Sequence, residues 1–187
     1  ARHWPAAKRF GDITEVEAAN LEPVELIAGG FPCQDISHVG RRAGIEGEHS
    51  GLWAHFARLV RDLRPRFVLV ENSTSLLVRG IDRVLADLAA SGYDAEWDCI
   101  PASAVGAAHL RARTWLLAYP RGFRAAANHT VFAGRAIPDV RTRWPAEPDL
   151  DRVADGLPGG LDRVGWLGDA VVPAVVEHIG TRLMEVA

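Results

Sequence analysis

The stretch Gly29-Gly30-Phe31-Pro32-Cys33-Gln34-Asp35-Ile36-Ser37 constrains this chain more than any other. It follows the apolar run Val24-Glu25-Leu26-Ile27-Ala28, which reads as a buried strand. Two glycines then let the backbone turn sharply, and Pro32 stiffens φ just ahead of Cys33. A thiol so placed stands at the carboxyl end of a sheet strand, where open α/β sheets hold their ligands. A lone cysteine is most often a small buried hydrophobe, yet a core cysteine needs neither a glycine turn nor a proline before it. Nucleophilic use requires a thiolate, which electropositive and partly open surroundings favour. Arg41 and Arg42 follow closely enough to supply that charge, while Asp35 works against them.

The 187 residues amount to one domain by length, with enough apolar content for a real core. The net charge of −3 shows no global basicity, so any nucleic-acid contact must come from local arginine clusters. Two distant cysteines, Cys33 and Cys99, make a disulfide scaffold improbable and favour a reducing, cytoplasmic setting. The histidines show no HxH or HxxxH spacing, and no metal is expected. No run is long or apolar enough for a membrane span, and no signal-peptide pattern opens the chain. Position 1 is Ala and the chain enters mid-pattern, so the expectation is an N-terminally incomplete fragment.

Along the chain, Phe10-Gly11-Asp12-Ile13-Thr14 reads first as a turn, with Asp12 as turn or cap residue. Residues 38–51 carry four glycines and two arginines, a long loop of the kind that is mobile or functional. Leu52, Trp53, Phe56, Leu59, Val60 and Leu63 recur on one face of a helix over 52–64, stopped by Pro65. Arg58, Arg61 and Arg64 read as its solvated face. Phe67-Val68-Leu69-Val70 is a short strand bounded by polar Glu71-Asn72-Ser73. Glu71 thus sits at a strand's carboxyl end, as Cys33 does, and two such groups on parallel strands converge on one pocket. By itself it reads equally well as a cap or loop carboxylate.

Ile81, Val84, Leu85 and Leu88 give a second helix closed by Gly92. Tyr93, Ala95, Trp97 and Cys99 then alternate with Asp94, Glu96 and Asp98, a strand with one wet face and Cys99 in its apolar set. After a turn, His109-Leu110-Arg111-Ala112-Arg113 leads into the strand Thr114-Trp115-Leu116-Leu117-Ala118, antiparallel to its predecessor. Arg111 and Arg113, two apart, would share a face at its entry. Residues 119–165 lose periodicity and gain Arg, Pro, Gly and Asp. Arg121, Arg124, Arg135, Arg141, Arg143 and Arg152 suit phosphates and Trp144 suits stacking, although an irregular loop accounts for them as well. Gly168-Asp169-Ala170-Val171-Val172-Pro173 opens a last helix with Val175, Val176, Ile179 and Leu183 on one side.

Pro32-Cys33-Gln34, Glu71-Asn72, His109-x-Arg111-x-Arg113 and Gly168-Asp169-Ala170-Val171-x-Pro173 stand in the order found in the C5-cytosine DNA methyltransferases. The chain resembles that family over nearly its whole length except the interval after residue 120. The resemblance implies an α/β fold of the S-adenosylmethionine-dependent, Rossmann-like kind, with a mixed sheet, an antiparallel end hairpin and its first strands lacking. It also implies a partial catalytic core over 1–120, a short target-recognition region over 121–160 and a returning motif and helix over 161–187. Departures are Ser73 for Val, Asp169 for Asn, and Glu48-His49-Ser50-Gly51 where the family often has Arg. The family's Phe-x-Gly-x-Gly turn is not found, so this chain alone is expected to bind cofactor poorly and turn over little.

By that resemblance Cys33 attacks C6 of a flipped cytosine, Glu71 serves N3, and Arg113 with Arg111 holds the carboxylate and the O2 side of the base. S-adenosylmethionine would contact Asp12, Ile13, Pro32, Leu52, Asp169, Ala170 and Val171. Double-stranded DNA would meet Gln34, Ser37, Arg41 and Arg42, a cognate restriction endonuclease is a candidate partner, and a monomer is expected. The residues alone leave RNA open as substrate. Two other readings are a silent DNA-binding module and a thiol hydrolase, the second lacking an oriented third group.

Overall fold

The computed structural model describes residues 5–32, 51–107, 109–123, 131–132 and 171–186. The chain divides into two compact units that interleave in sequence: Ala1–Cys99 with Arg113–Arg124, and Ile100–Ala112 with Ala125–Ala187.

The first unit is built on a mixed sheet of four strands, β1 (Leu26–Gly30), β2 (Phe67–Ser73), β3 (Tyr93–Pro101) and β4 (Ala112–Pro120), in the order β1-β2-β4-β3. β1 runs parallel to β2, from Leu26 opposite Phe67 to Gly30 opposite Glu71. β4 runs antiparallel to β2, from Val68 opposite Ala118 to Ser73 opposite Arg113. A parallel pair requires a crossover, and α1 (Leu52–Leu63) lies in the segment that makes it. It buries Trp53, Phe56, Leu59 and Val60, the stripe that the 3.6-residue period anticipates. Each such side chain contributes about 1.5–3 kcal/mol on leaving water.

α1 ends where Arg64 adopts φ 54° and ψ 49° while its N–H still bonds the Val60 carbonyl, with Pro65 next. A short α2 (Leu76–Arg79) and α3 (Ile81–Ala90) follow β2, and Gly92 at φ 80° turns the chain into β3. Val84 and Leu88 of α3 join Trp53, Phe56 and Val60 of α1 over Val68, Val70, Leu116 and Ala118 of the sheet. The Tyr93 hydroxyl closes this core by donating to the Pro65 carbonyl at 2.6 Å.

In the second unit the 3-10 turn Ala102–Val105 is closed by the Ala102 N–H bonding the Leu110 carbonyl at 2.7 Å. α4 (Pro173–Val186) lies against that turn and buries Val175, Ile179 and Leu183.

Several local expectations change. Gly29 and Gly30 do not turn the chain; both lie in β1 in ladder pairing and neither has a positive φ. β1 is not buried, because it is an outer strand among the described residues, and Leu26 remains 40 % exposed. β2 runs three residues further than its apolar run, through Glu71, Asn72 and Ser73, because β4 continues to pair with them. Trp97 is exposed rather than in the apolar face, since the helical cover reaches Tyr93 and Ala95 of the other outer strand and stops. Cys99 is half-buried, its sulfur 3.5 Å from the Thr114 hydroxyl. Val176 turns outward from the face shared by Val175, Ile179 and Leu183.

Candidate active site at the carboxyl end of the parallel strands

The register between β1, β2 and β4 settles which side chains meet. Because side chains alternate along a strand, Glu71 and Asn72 face opposite sides of the sheet. Glu71 points to the side away from α1. Arg113, one diagonal step across the β2–β4 ladder, points the same way, and its Nε lies 3.2 Å from Glu71 Oε1. Both side chains are mostly shielded, 17 % exposed for Glu71 and 23 % for Arg113. Trp115, directly opposite Glu71, is buried and walls the pair on the β4 side.

The β1 side is walled by the lack of a side chain. A Cβ on Gly30 would lie 2.9 Å from the Glu71 carbonyl oxygen and 3.2 Å from Glu71 Oε2. The carboxylate therefore occupies space that any other residue at position 30 would fill. Gly29 faces the other side, where a Cβ would lie 3.1 Å from the Phe56 ring. The two glycines serve two different close approaches, one to a helix and one to a charge.

Asn72 is 2 % exposed and bonded through both its amide nitrogen and its oxygen. Its Nδ2 donates to the Phe31 carbonyl at 3.1 Å, and its Oδ1 accepts from the Ser73 N–H at 2.8 Å. The Phe31 ring lies 5.4 Å from the ring of Trp53, whose Nε1 donates to Asp87 at 2.9 Å. Backbone and ring together anchor Phe31 two residues ahead of Cys33 in sequence. The sequence motifs do not reach this contact, although an Asn in an apolar strand beside a charged neighbour is a visible signal. A buried amide requires partners for both its oxygen and its nitrogen.

Asp12 forms a turn: its Oδ1 accepts from the Thr14 N–H at 2.9 Å, and its carbonyl accepts from the Glu15 N–H. That backbone donor holds its carboxyl below the ordinary 3.8, so it is ionised at neutral pH. Ile13 is partly buried against the core. Arg58 corrects the reading of a solvated arginine face. Its Nη2 donates to the carbonyls of Val16 at 2.7 Å and Ile13 at 3.2 Å, and its Nη1 lies 3.5 Å from Glu17. Arg61 does lie at the surface, bonded to Asp62, while Arg64 lies over the ring of Tyr93, 5.2 Å from its centroid.

Arg111 does not share a strand face with Arg113. β4 begins at Ala112, and Arg111 sits before it with φ 24°, so alternation does not extend to it. It belongs to the other compact unit. Leu52 opens α1, Pro32 is half-buried, and Val171 is exposed just ahead of α4. Cys33, Gln34, Ser37, Arg41, Arg42, Asp169 and Ala170 lie outside the described residues.

A family model, that of the C-5 cytosine-specific DNA methylases, matches residues 1–149. The chain belongs to that family. Among relatives, the type II methyltransferase M.CviJI of Paramecium bursaria Chlorella virus IL3A is 34% identical over 63% of this chain and 32% of its own length. The type II methyltransferase M2.BsuMI of Bacillus subtilis (strain 168) is 28% identical over 92% of this chain and 46% of its own. This C-5 cytosine methylase chain thus spans about a third to a half of the length of these relatives. In fold, a DNMT2 variant from Spodoptera frugiperda matches 64% of the chain and 38% of its own with a TM-score of 0.51 at 14% identity. The α/β architecture with a mixed sheet is the fold shared with that protein. Among the described residues no helix is long and apolar enough to cross a membrane.

Proposed function

We propose that the chain carries the cytosine-binding and nucleophile-bearing part of a DNA (cytosine-5-)-methyltransferase, acting on a base extruded from duplex DNA. The observation that carries this reading is the Glu71–Arg113 pair, shielded by Trp115 and given room by Gly30 at the carboxyl end of the strand that leads to Cys33. A carboxyl group so held has one oxygen against a guanidinium and the other on the side of Gly30.

In this reading Cys33, as thiolate, adds to C6 of the cytosine, and Glu71 supplies the proton or hydrogen bond at N3 that takes negative charge off the ring. C5 becomes nucleophilic. Arg113 keeps Glu71 in place and balances charge that would otherwise repel the thiolate. Once C5 carries its methyl group, water takes the C5 proton and the electrons of that bond restore the C5–C6 double bond. The C6–sulfur bond breaks to return Cys33 as thiolate, and N3 gives its proton back to Glu71. Extrusion of the base is required because neither face of C5 or C6 is open in a stacked duplex.

S-adenosylmethionine is the methyl donor that the family implies, and when bound it supplies the electrophilic methyl group. The described residues fit its adenine end. Asp12 presents an ionised, exposed carboxylate for an exocyclic amino group, with Ile13 as the apolar neighbour. Pro32 and Leu52, with Asp169, Ala170 and Val171 at its polar end, complete the proposed set. Gln34, Ser37, Arg41 and Arg42 are proposed to contact duplex DNA, and residues 121–160 to contribute to target recognition. A cognate restriction endonuclease is the proposed partner in the cell, with the protein itself a cytoplasmic monomer.

The test is covalent trapping by the protein expressed at the full length of its reading frame. Duplex DNA of random sequence, polymerised with 5-fluorocytosine in place of cytosine, is incubated with protein and S-adenosylmethionine. A denaturant-stable adduct is expected from the natural sequence and none from Cys33→Ser. Retained DNA binding with no adduct from the natural sequence rejects the enzymatic reading in favour of a binding module.

A further inference from the structure

Asn72 is the strand residue next to Glu71, yet it faces the opposite side of the sheet and its side chain reaches across to the neighbouring strand's exit. The accepting carbonyl belongs to Phe31, the first residue after β1 and two before Cys33. From there onward the chain has left the ladder with β2, whose last partnered residue on the β1 side is Glu71 opposite Gly30. The Asn72 amide therefore replaces the ladder at the point where it stops.

The anchor has three parts. The Phe31 ring packs on Trp53, the Phe31 carbonyl is held by Asn72, and Pro32 restricts φ at the following residue. The other end of the amide is also fixed, because Oδ1 accepts from the Ser73 N–H and so sets the side-chain orientation. An apolar residue here would take these partners from the Phe31 carbonyl and the Ser73 N–H. An amide at this position instead imposes a fixed offset between two backbones.

We propose that Asn72 is a positioning residue that holds the backbone entering Cys33 at a set distance from the strand carrying Glu71, so that nucleophile and acid act on one ring together. The proposal rests on the roles assigned above to Cys33 and Glu71. Asn72 touches neither base nor cofactor in it, and its effect appears in the rate of bond formation rather than in binding.

The two ends of the amide are separable by mutation. Asn72→Ala removes both hydrogen bonds, whereas Asn72→Asp keeps the acceptor for the Ser73 N–H and loses the donor to Phe31. The measurement is the rate of adduct formation on the 5-fluorocytosine duplex with saturating S-adenosylmethionine, alongside the affinity for that duplex and the thermal transition. Loss of positioning predicts that both variants trap about 100-fold more slowly, with DNA affinity within about twofold of the natural sequence. Asn72→Asp decides the matter if Asn72→Ala does not fold. Trapping by Asn72→Asp at the natural rate overturns the proposal while leaving the roles of Cys33 and Glu71 intact. An equal loss of rate and affinity overturns it as well, since that marks a general structural defect. No adduct from the natural sequence removes both readings at once.

Discussion

Two regions of the first unit each contain a carboxylate and an arginine, and they use them in opposite ways. At the end of β2, Glu71 and Arg113 meet because strand register places them one diagonal step apart, and the pair is mostly shielded from water. In the turn near residue 12, Asp12 is exposed and spends one oxygen on its own backbone, while Arg58 ignores that carboxylate and holds the main-chain carbonyls of Ile13 and Val16. A sheet orients side chains through its ladder, so its arginine is available to a functional partner. A turn outside the ladder has no such frame, and the arginine is used to hold the chain itself. The difference matters because shielded charges interact more strongly than solvated ones.

The largest effect is expected where the charge pair is broken. Arg113→Ala should lower the rate of adduct formation about 100-fold, the cost of removing one preorganised electrostatic partner. Arg113→Lys should recover only part of it, because an ammonium lacks the planar fork. Equal rates for the alanine variant and the natural sequence would erase the distinction between the two regions.

Gly30→Ala comes next. Its methyl group meets backbone at 2.9 Å as well as the Glu71 carboxylate, and strain of about 1–3 kcal/mol is expected in urea unfolding. Gly29→Ala should cost less, since its methyl meets only the edge of the Phe56 ring, which can shift. Reversal of that order would show that the room beside Glu71 is not what position 30 provides.

Arg58→Ala should lose about 1–2 kcal/mol, from hydrogen bonds of a charged donor to two carbonyls. Its hydrogen-exchange signature should be confined to residues 12–17, with Glu71 and Arg113 unaffected. The smallest effect belongs to Asp12→Asn. The folded carboxyl titrates below its ordinary 3.8, so its contribution to stability is present above that value and is lost as pH falls through the lower, folded one. The variant should flatten the slope of stability against pH between about pH 2 and pH 5, by NMR titration and unfolding at each pH.

Much of this was legible in the residues. The helix over 52–64 is readable because Trp53, Phe56, Leu59 and Val60 repeat at helical spacing, and the stop at Pro65 is a steric rule. The position of Glu71 past an apolar run correctly places it at a carboxyl end. Other features were not legible. Gly29-Gly30 looks like a turn, because a sequence cannot show that a ring lies over one glycine and a carboxylate over the next. Arg58 looks like a surface residue because its partners are main-chain carbonyls 42 and 45 positions away. Arg111 looks like the partner of Arg113 until the strand is seen to start one residue later.

What the sequence by itself determined is the set of reactive groups and the order in which strands and helices present them, since local periodicity and chain breakers depend only on near neighbours. The family follows from the same motifs. The pairing of Glu71 with Arg113, the space at Gly30 and the grip of Asn72 on Phe31 were decided by tertiary structure alone. Each depends on how strands distant in sequence are registered against one another, and register arises from packing the whole sheet rather than from any one segment.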